Sequence, residues 1–320
     1  MTGLRAGVCL SLTGRFAPFG TQAANGLRLW AQESGAQLTV LDDRSEPAVL
    51  AERLAALARD VDLLFGPYST VLMRAAVPVA ERAGRLLVNH GGSGGDLTHP
   101  GRVVNVLTPA RRYADPFITR LAEREGGPLV TATGRGAFGR DVVDGATEAA
   151  RAASLRIKPL DLKRPPTGAW DLLSAGVYED DVAMVCTARG MANPPRYVCS
   201  VAAGVNSFAR DVGDPEGVYG IGQWAPGSVR SVDAGMNEAA FTAAWNDRYG
   251  NAPDYPAVQA YAAGVIAQAA MAAPEGLWQA VAALDITTVF GRFCIDTETG
   301  EQTGHEAVLT RWRGGESHAG

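Results

Sequence analysis

Lysine is nearly missing from this chain of 320 residues: it occurs only at Lys158 and Lys163, so almost all of the basic charge is arginine. The arginines are spread along the chain without a basic block, and the net charge is −5. That balance excludes nucleic acid or an anionic membrane as the main partner, and the arginine excess reads as a composition bias. Histidine is scarce. His90, His99, His305 and His318 have no metal-ligand spacing, so no metal site and no cofactor are expected. The four cysteines, Cys9, Cys186, Cys199 and Cys294, form no C-x-x-C pair. All lie in apolar, strand-like runs and read as small buried hydrophobes, and a Cys186–Cys199 bridge is not expected. No apolar run is long enough to span a membrane, and no G-x-x-x-x-G-K-[ST] motif implies ATP binding. The opening residues MTGLRAGVCLSLTG offer one arginine and a short interrupted apolar run that reads as a strand rather than a secretory leader. The expected placement is therefore cytoplasmic, with the periplasmic or extracytoplasmic side as the alternative if a signal has been trimmed.

What is present is organised around residues 62–98. Leu63-Leu64-Phe65 reads as a buried strand, stopped by Gly66-Pro67. Ser69 or Thr70 supplies an N-cap oxygen for a helix with Val71, Ala75, Val79 and Ala83 near helical spacing. Leu86-Leu87-Val88 reads as the next strand and runs into Asn89-His90-Gly91-Gly92-Ser93-Gly94-Gly95. Two parallel strands thus end in small hydroxyl-bearing loops. In an open α/β sheet ligands bind beyond the carboxyl ends of strands. Backbone N–H groups at a helix N-terminus suit an anion such as a carboxylate.

Strands and helices alternate on both sides of this stretch, which predicts a doubly wound parallel sheet. Before it come a strand at 4–12, a helix at 21–33, a strand at 38–41 ending in Asp42-Asp43, and a helix marked by Leu50, Leu54 and Leu57. After Thr108-Pro109 a second series repeats the architecture: helices near 111–125 and 139–153, strands at 129–133 and 157–160, a helix near 169–176, and strands at 182–187, 197–201 and 218–223. From Asp233 the pattern is helical, ending in an Ala-rich stretch at 256–272. Residues 290–293 and 307–312 read as a strand and a returning strand across the Asp296…Gly300 turn, with a frayed tail after Arg313.

Three motifs bear on chemistry. Gly91-Gly92-Ser93-Gly94-Gly95 fits the G-x-S-x-G nucleophile elbow, but no helix of useful length fits between it and the next strand. The better reading is a flexible polar loop in which Ser93 is a hydrogen-bond donor. Gly134-x-Gly136-x-x-Gly139 fits the dinucleotide fingerprint, with a strand before it, a helix after it, and Asp161 past the next strand. This carries an alternative reading, an NAD(P)-dependent oxidoreductase. Paired acids such as Asp42-Asp43 and Asp180-Asp181 read as caps and solvated turns rather than an acid/base pair.

The ordered set of short motifs resembles the type I periplasmic binding-protein family, in its leucine/isoleucine/valine-binding branch. Its carriers are Leu12-Thr13-Gly14, Phe19-Gly20, Asn25-Gly26, Asp42-Asp43, Gly66-Pro67-Tyr68-Ser69 and residues 78–84. They continue with Asp96-Leu97-Thr98, Phe138-Gly139, the strand from Gly217 to Trp224, and Val289-Phe290-Gly291 with the turn that follows. The resemblance implies two Rossmann-like lobes, at 1–109 with 231–287 and at 110–230 with 288–320. They would be joined by crossings near 107–111, 225–232 and 286–291, closing on a ligand by hinge motion. It implies a non-enzymatic binder of a branched-chain or other amino acid, or of a related carboxylate or amide. The partner would be an ABC permease if the chain is exported, or a regulatory protein if it is cytoplasmic.

The same resemblance distributes the site. The carboxylate anchor falls on Ser69 and Thr70. Backbone and hydroxyl contacts fall on Gly91, Gly92 and Ser93. The aromatic covers fall on Phe19 and Phe138, and Trp224 is either a third wall or a structural tryptophan. The family acid that pairs with a ligand ammonium would fall around Ala202-Ala203, where this chain has none. An unpaired desolvated ammonium costs roughly several kcal/mol, so either another acid approaches or the ligand lacks an ammonium. Arg189, near a second contact region, points to the latter.

Overall fold

The computed structural model describes residues 4–124, 126–271 and 276–320. Residues 1–3 of the expected first lobe, and residues 125 and 272 at two expected helix ends, lie outside the described residues. The chain divides into two compact units, Met1–Thr108 with Val229–His305, and Pro109–Ser228 with Glu306–Gly320.

The first unit opens with β1 (Arg5–Leu10), α1 (Ala17–Ser34), β2 (Gln37–Asp42), α2 (Pro47–Leu57), β3 (Leu63–Phe65), α3 (Thr70–Arg82), β4 (Leu87–Asn89) and β5 (Val103–Asn105). The second follows with α4 (Asp115–Ala122), β6 (Leu129–Thr133), α5 (Ala137–Ala152), β7 (Ile157–Pro159), β8 (Asp171–Ala175), α6 (Tyr178–Arg189), β9 (Val198–Ser200), α7 (Phe208–Val212) and β10 (Tyr219–Gly222). The chain returns to the first unit for α8 (Glu238–Tyr249), α9 (Tyr255–Met271), α10 (Leu277–Ala282), β11 (Ile286–Thr288) and β12 (Gly291–Phe293). It ends in the second with β13 (Val308–Arg313) and β14 (Glu316–Ala319).

The first sheet is parallel throughout, in the order β2-β1-β3-β4-β5. Its strands β3 and β4 are buried along their whole length, which is why they read as continuous apolar runs. Leu54, Leu57, Leu72, Met73 and Ala76 of α2 and α3 fill one core cluster. Trp30 of α1 is fully buried and meets Phe65 edge-on at 5.4 Å. The second sheet runs β14-β13-β10-β9-β8-β6-β7, parallel from β7 to β10 and closed by antiparallel β13 and β14.

Five expectations need correction. The helix expected near 169–176 is the strand β8, and the strand expected at 182–187 is the helix α6. β8 lies between β6 and β9 with all five residues buried, so no alternation marks it as a strand. In α6 the buried residues are Asp181, Val185 and Ala188, a helical spacing hidden in an apolar run rich in strand-formers. Residues 288–305, expected in the second lobe, belong to the first unit. There β12 pairs with β11, Gln302 Nε2 donates to the carbonyl of Val106 at 3.1 Å, and the Thr108 hydroxyl meets His305 Nδ1 at 2.6 Å. The tail after Arg313 is not frayed: a turn at Gly314-Gly315 returns it as β14 along β13. Of the cysteines, all free, Cys9 and Cys199 are buried as expected, whereas the helical assignment of α6 leaves Cys186 exposed.

Candidate functional site

In the first unit the site is built on the ends of β3 and β4. After Phe65 the chain turns through Gly66-Pro67-Tyr68 to Ser69, which has φ 99° and ψ 143°, a conformation rarely adopted by residues with a side chain. Such backbone costs on the order of 1–3 kcal/mol and persists only where its surroundings hold it. Here the Ser69 N–H donates to the carbonyl of Gly91 at 3.0 Å, and the Ser69 carbonyl accepts from Met73 N–H at 3.0 Å. Its hydroxyl caps α3 by accepting from Leu72 N–H at 3.3 Å. The adjacent Thr70 hydroxyl, buried, accepts from the Ser93 N–H at 3.3 Å.

The structure therefore brings Ser69, Thr70, Gly91 and Ser93 together. The backbone N–H groups of Thr70 and Val71 and the hydroxyl of Ser93 have no hydrogen-bond partner among the described residues. The two N–H groups are donors at a helix N-terminus, the arrangement that attracts an anion, and the Ser93 loop is tied to that terminus through Thr70.

The glycine-rich loop is not flexible, as expected from its composition, but pinned. Asn89, the last residue of β4, accepts through Oδ1 from the N–H of Gly91 at 3.1 Å and of Gly92 at 2.9 Å. Its Nδ2 donates to the Gly92 carbonyl at 2.6 Å and to Asn105 Oδ1 at 2.7 Å. Gly91 and Gly92 thus use their N–H groups internally, and the role expected of them as backbone ligands passes to shape. A Cβ on Gly91 would lie 2.5 Å from the Pro67 carbonyl oxygen and 2.6 Å from Tyr68 Cα, so only glycine lets the two loops touch. Asn89 was missed from sequence because an asparagine heading a glycine run reads as loop. His90 beside it is fully buried, and burial lowers its pKa to about 4, so the loop adds no positive charge of its own at neutral pH.

Phe19, in the first turn of α1, stacks on Tyr68 at 4.9 Å with planes 5° apart. The Tyr68 and Tyr255 hydroxyls are 2.7 Å apart. Phe19 is consequently held at the edge of the hydroxyl loop, and Tyr68 is an aromatic that the motif Gly66-Pro67-Tyr68-Ser69 contains but sequence reasoning did not assign to the site.

In the second unit the corresponding face is formed by the loops after β6, β8, β9 and β10. Phe138, in the first turn of α5, meets Tyr113 edge-on at 5.3 Å and packs on a core cluster. Trp224 follows β10, is buried, and its Nε1 has no partner among the described residues. Arg189 is not on this face. It ends α6, which runs back toward the amino ends of the strands, and its guanidinium donates to the carbonyls of Asp214 and Glu216 and to the Asp214 carboxylate. The ligand role expected for Arg189 came from its nearness to a second contact region in the resemblance, and these bonds to Asp214 and Glu216 do not support it.

The dinucleotide reading is also corrected. Gly136 has φ 97° and caps α5 without a side chain. The turn that would cradle a pyrophosphate is occupied by Asp180, whose carboxylate accepts from the Arg135 N–H at 2.8 Å and from the Arg135 guanidinium at 2.7 Å. An anion there meets the Asp180 carboxylate, which already takes the Arg135 N–H. Asp161 is exposed and spent on its own turn, accepting from Lys163 N–H at 2.9 Å.

An acid does reach the Ala202 turn, although none stands there in sequence. Asp181, in the first turn of α6, is 1% exposed; its Oδ1 accepts from the Ser174 hydroxyl at 2.7 Å and its Oδ2 from the Ala202 N–H at 3.2 Å. Burial pushes its pKa up to about 6, against the opposing hydrogen bonds from Ser174 and Ala202. Nearby, the Tyr178 hydroxyl donates to Asp211 at 2.8 Å and accepts from Ser207 at 3.1 Å. Among the described residues no group of His, Cys, Asp and Glu could hold a metal ion.

Comparison with solved structures gives neighbours across the whole chain. A leucine-binding protein from Thermotoga maritima superposes with a TM-score of 0.82 at 18% identity, covering 99% of this chain and 97% of the other. A substrate-binding protein from Desulfitobacterium hafniense in complex with leucine gives 0.82 at 18%, covering 99% of each. A solute-binding protein from R. palustris in complex with benzoate gives 0.76 at 18%, covering 99% of this chain and 95% of the other. At that identity these likenesses establish the fold. No curated protein matches the sequence. Residues 3–175, more than half of the chain, match the periplasmic binding protein family. That match overturns the cytoplasmic placement, which rested only on how the sequence begins; the family is periplasmic. By this match the chain belongs to the periplasmic binding protein family.

Proposed function

We propose that this protein is the substrate-binding component of an ABC importer and binds a small organic acid without chemically altering it, handing it to a membrane permease. The observation that carries the reading is the donor-rich surface at the start of α3: the backbone N–H groups of Thr70 and Val71, the Thr70 and Ser93 hydroxyls, each with an O–H to donate, and the helix dipole, with no basic side chain needed. Leucine and benzoate, the ligands named for two of the structural neighbours, have one polar group in common, a carboxylate. The carboxylate is accordingly the group assigned to Thr70 and Ser93, with Phe19 and Tyr68 beside it as an apolar wall. Phe138 and Trp224 supply aromatic surface on the second unit's loops.

A thermal-shift screen of the purified protein tests this with branched-chain and aromatic amino acids, their deaminated acids, short amides and NAD(H). A ligand at about a thousand times its Kd adds roughly 4 kcal/mol to stability. The reading expects a raised Tm with at least one carboxylate and none with NAD(H). It also expects Thr70→Ala and Ser93→Ala to weaken that carboxylate by about tenfold each, the effect of one lost hydrogen bond to a charged group. Stabilisation by NAD(H) alone, or full affinity in both variants, would overturn it.

A further inference from the structure

The Val201–Gly204 turn after β9 lies on the carboxyl-end face of the second unit's sheet, where an α/β unit meets its ligand. It is held from two sides. From one, Trp312 Nε1 donates to the Ala203 carbonyl at 2.8 Å. From the other, Asp181 accepts the Ala202 N–H at 3.2 Å while its second oxygen accepts the Ser174 hydroxyl at 2.7 Å, tying the turn to the end of β8. The Val201 N–H donates to the Ser174 carbonyl at 3.2 Å and completes the same link. Asp181 is 1% exposed, so its carboxylate faces this backbone and not solvent.

We propose that Asp181 is a positioning residue for ligand binding: its side chain bridges Ser174 and the Ala202 N–H and so fixes the Val201–Gly204 turn on the ligand-facing end of β9. The inference rests on the functional reading above. It separates Asp181 from a counter-charge for a ligand ammonium, because bridging needs hydrogen bonds and not charge. An asparagine can bridge as well: its Oδ1 accepts from Ala202 N–H, and its Nδ2 donates to the Ser174 hydroxyl, which rotates to accept. An alanine cannot.

The test compares wild type, Asp181→Asn and Asp181→Ala by isothermal titration at pH 7.5 with leucine, 4-methyl-2-oxopentanoate and benzoate as probes. Amide hydrogen exchange is followed in residues 198–205 and, as a control for global unfolding, in β6 (129–133). Expected are affinity within about threefold of wild type for Asp181→Asn, a loss of about tenfold or more for Asp181→Ala, and faster exchange in 198–205 of Asp181→Ala with β6 unchanged. If wild type binds a probe and Asp181→Ala keeps its affinity or its exchange at 198–205, the inference is wrong while the functional reading stands. If Asp181→Asn falls as far as Asp181→Ala, charge and not bridging is at work, and the inference is equally overturned. A wild type that binds none of the three probes overturns both.

Discussion

The two units reach the same backbone geometry at a helix start by different means. Ser69 before α3 has φ 99° and ψ 143°, and Gly136 before α5 has φ 97° and ψ 164°. In the second unit a glycine adopts the conformation without strain and without a side-chain cap. In the first, a serine accepts the strain, caps α3 with its hydroxyl, and shares its loop with Thr70 and Ser93. The first unit therefore presents donors on a tightly specified loop. The second closes its equivalent turn with its own ion pair, Arg135–Asp180, and keeps its buried acid, Asp181, one loop further on. The difference supports the proposal that the first unit takes the anion and that the second positions a loop.

The largest expected effect is at Gly91. Its Cβ would collide with the Pro67 and Tyr68 backbone, so Gly91→Ala should cost about 3 kcal/mol or more in urea unfolding. Gly136 has open space around it, so Gly136→Ala should cost only the positive φ, about 1–3 kcal/mol. Equal losses would show that the two loops are not specified differently.

The next effect is a pH dependence of opposite sign in the two units. His90 has its folded pKa lowered to about 4, so its contribution is complete above its usual 6.5 and lost as pH falls toward 4. Asp181 has its pKa raised to about 6, so its contribution is complete below the usual 3.8 and lost as pH rises toward 6. Each amounts to about 3 kcal/mol, and between pH 4 and 6.5 they offset one another. Relative to wild type, His90→Gln should lose the part that rises with pH, and Asp181→Asn the part that falls. Parallel stability curves for both variants would sink this assignment.

How far the sequence reached differs between the units for physical reasons. In the first, apolar runs, caps and turn residues agree, so the strand end at Phe65, an N-cap at Ser69 or Thr70 and the loop at Gly91–Ser93 were all legible. What escaped notice there was Asn89, because its two-sided bonding is a matter of tertiary approach. In the second, a central strand buried on both faces and a helix rich in valine exchanged signatures. That exchange left Asp181 in what read as a solvated turn. The Gly134–Gly139 motif matched a dinucleotide turn in spacing and in its flanking strand and helix; what departs from it is Asp180, 46 residues from the start of the motif, which takes the Arg135 N–H.

The smallest effect expected is at the shared geometry itself. Ser69→Gly relieves the strained φ and removes the cap, so stability should change by less than about 1 kcal/mol, while affinity for a carboxylate falls. A clear loss of stability would mean that the serine is held for the fold and not for the ligand.

The measurement that bears most directly on the central claim is a pair of calorimetric titrations at one pH: benzoate against benzamide, and leucine against leucinamide, on wild type and Thr70→Ala. The donor-rich loop predicts that a carboxylate binds, that the corresponding amide binds at least about a hundredfold more weakly, and that Thr70→Ala narrows the gap. Amides bound as tightly as their acids, or a gap untouched by Thr70→Ala, would contradict it.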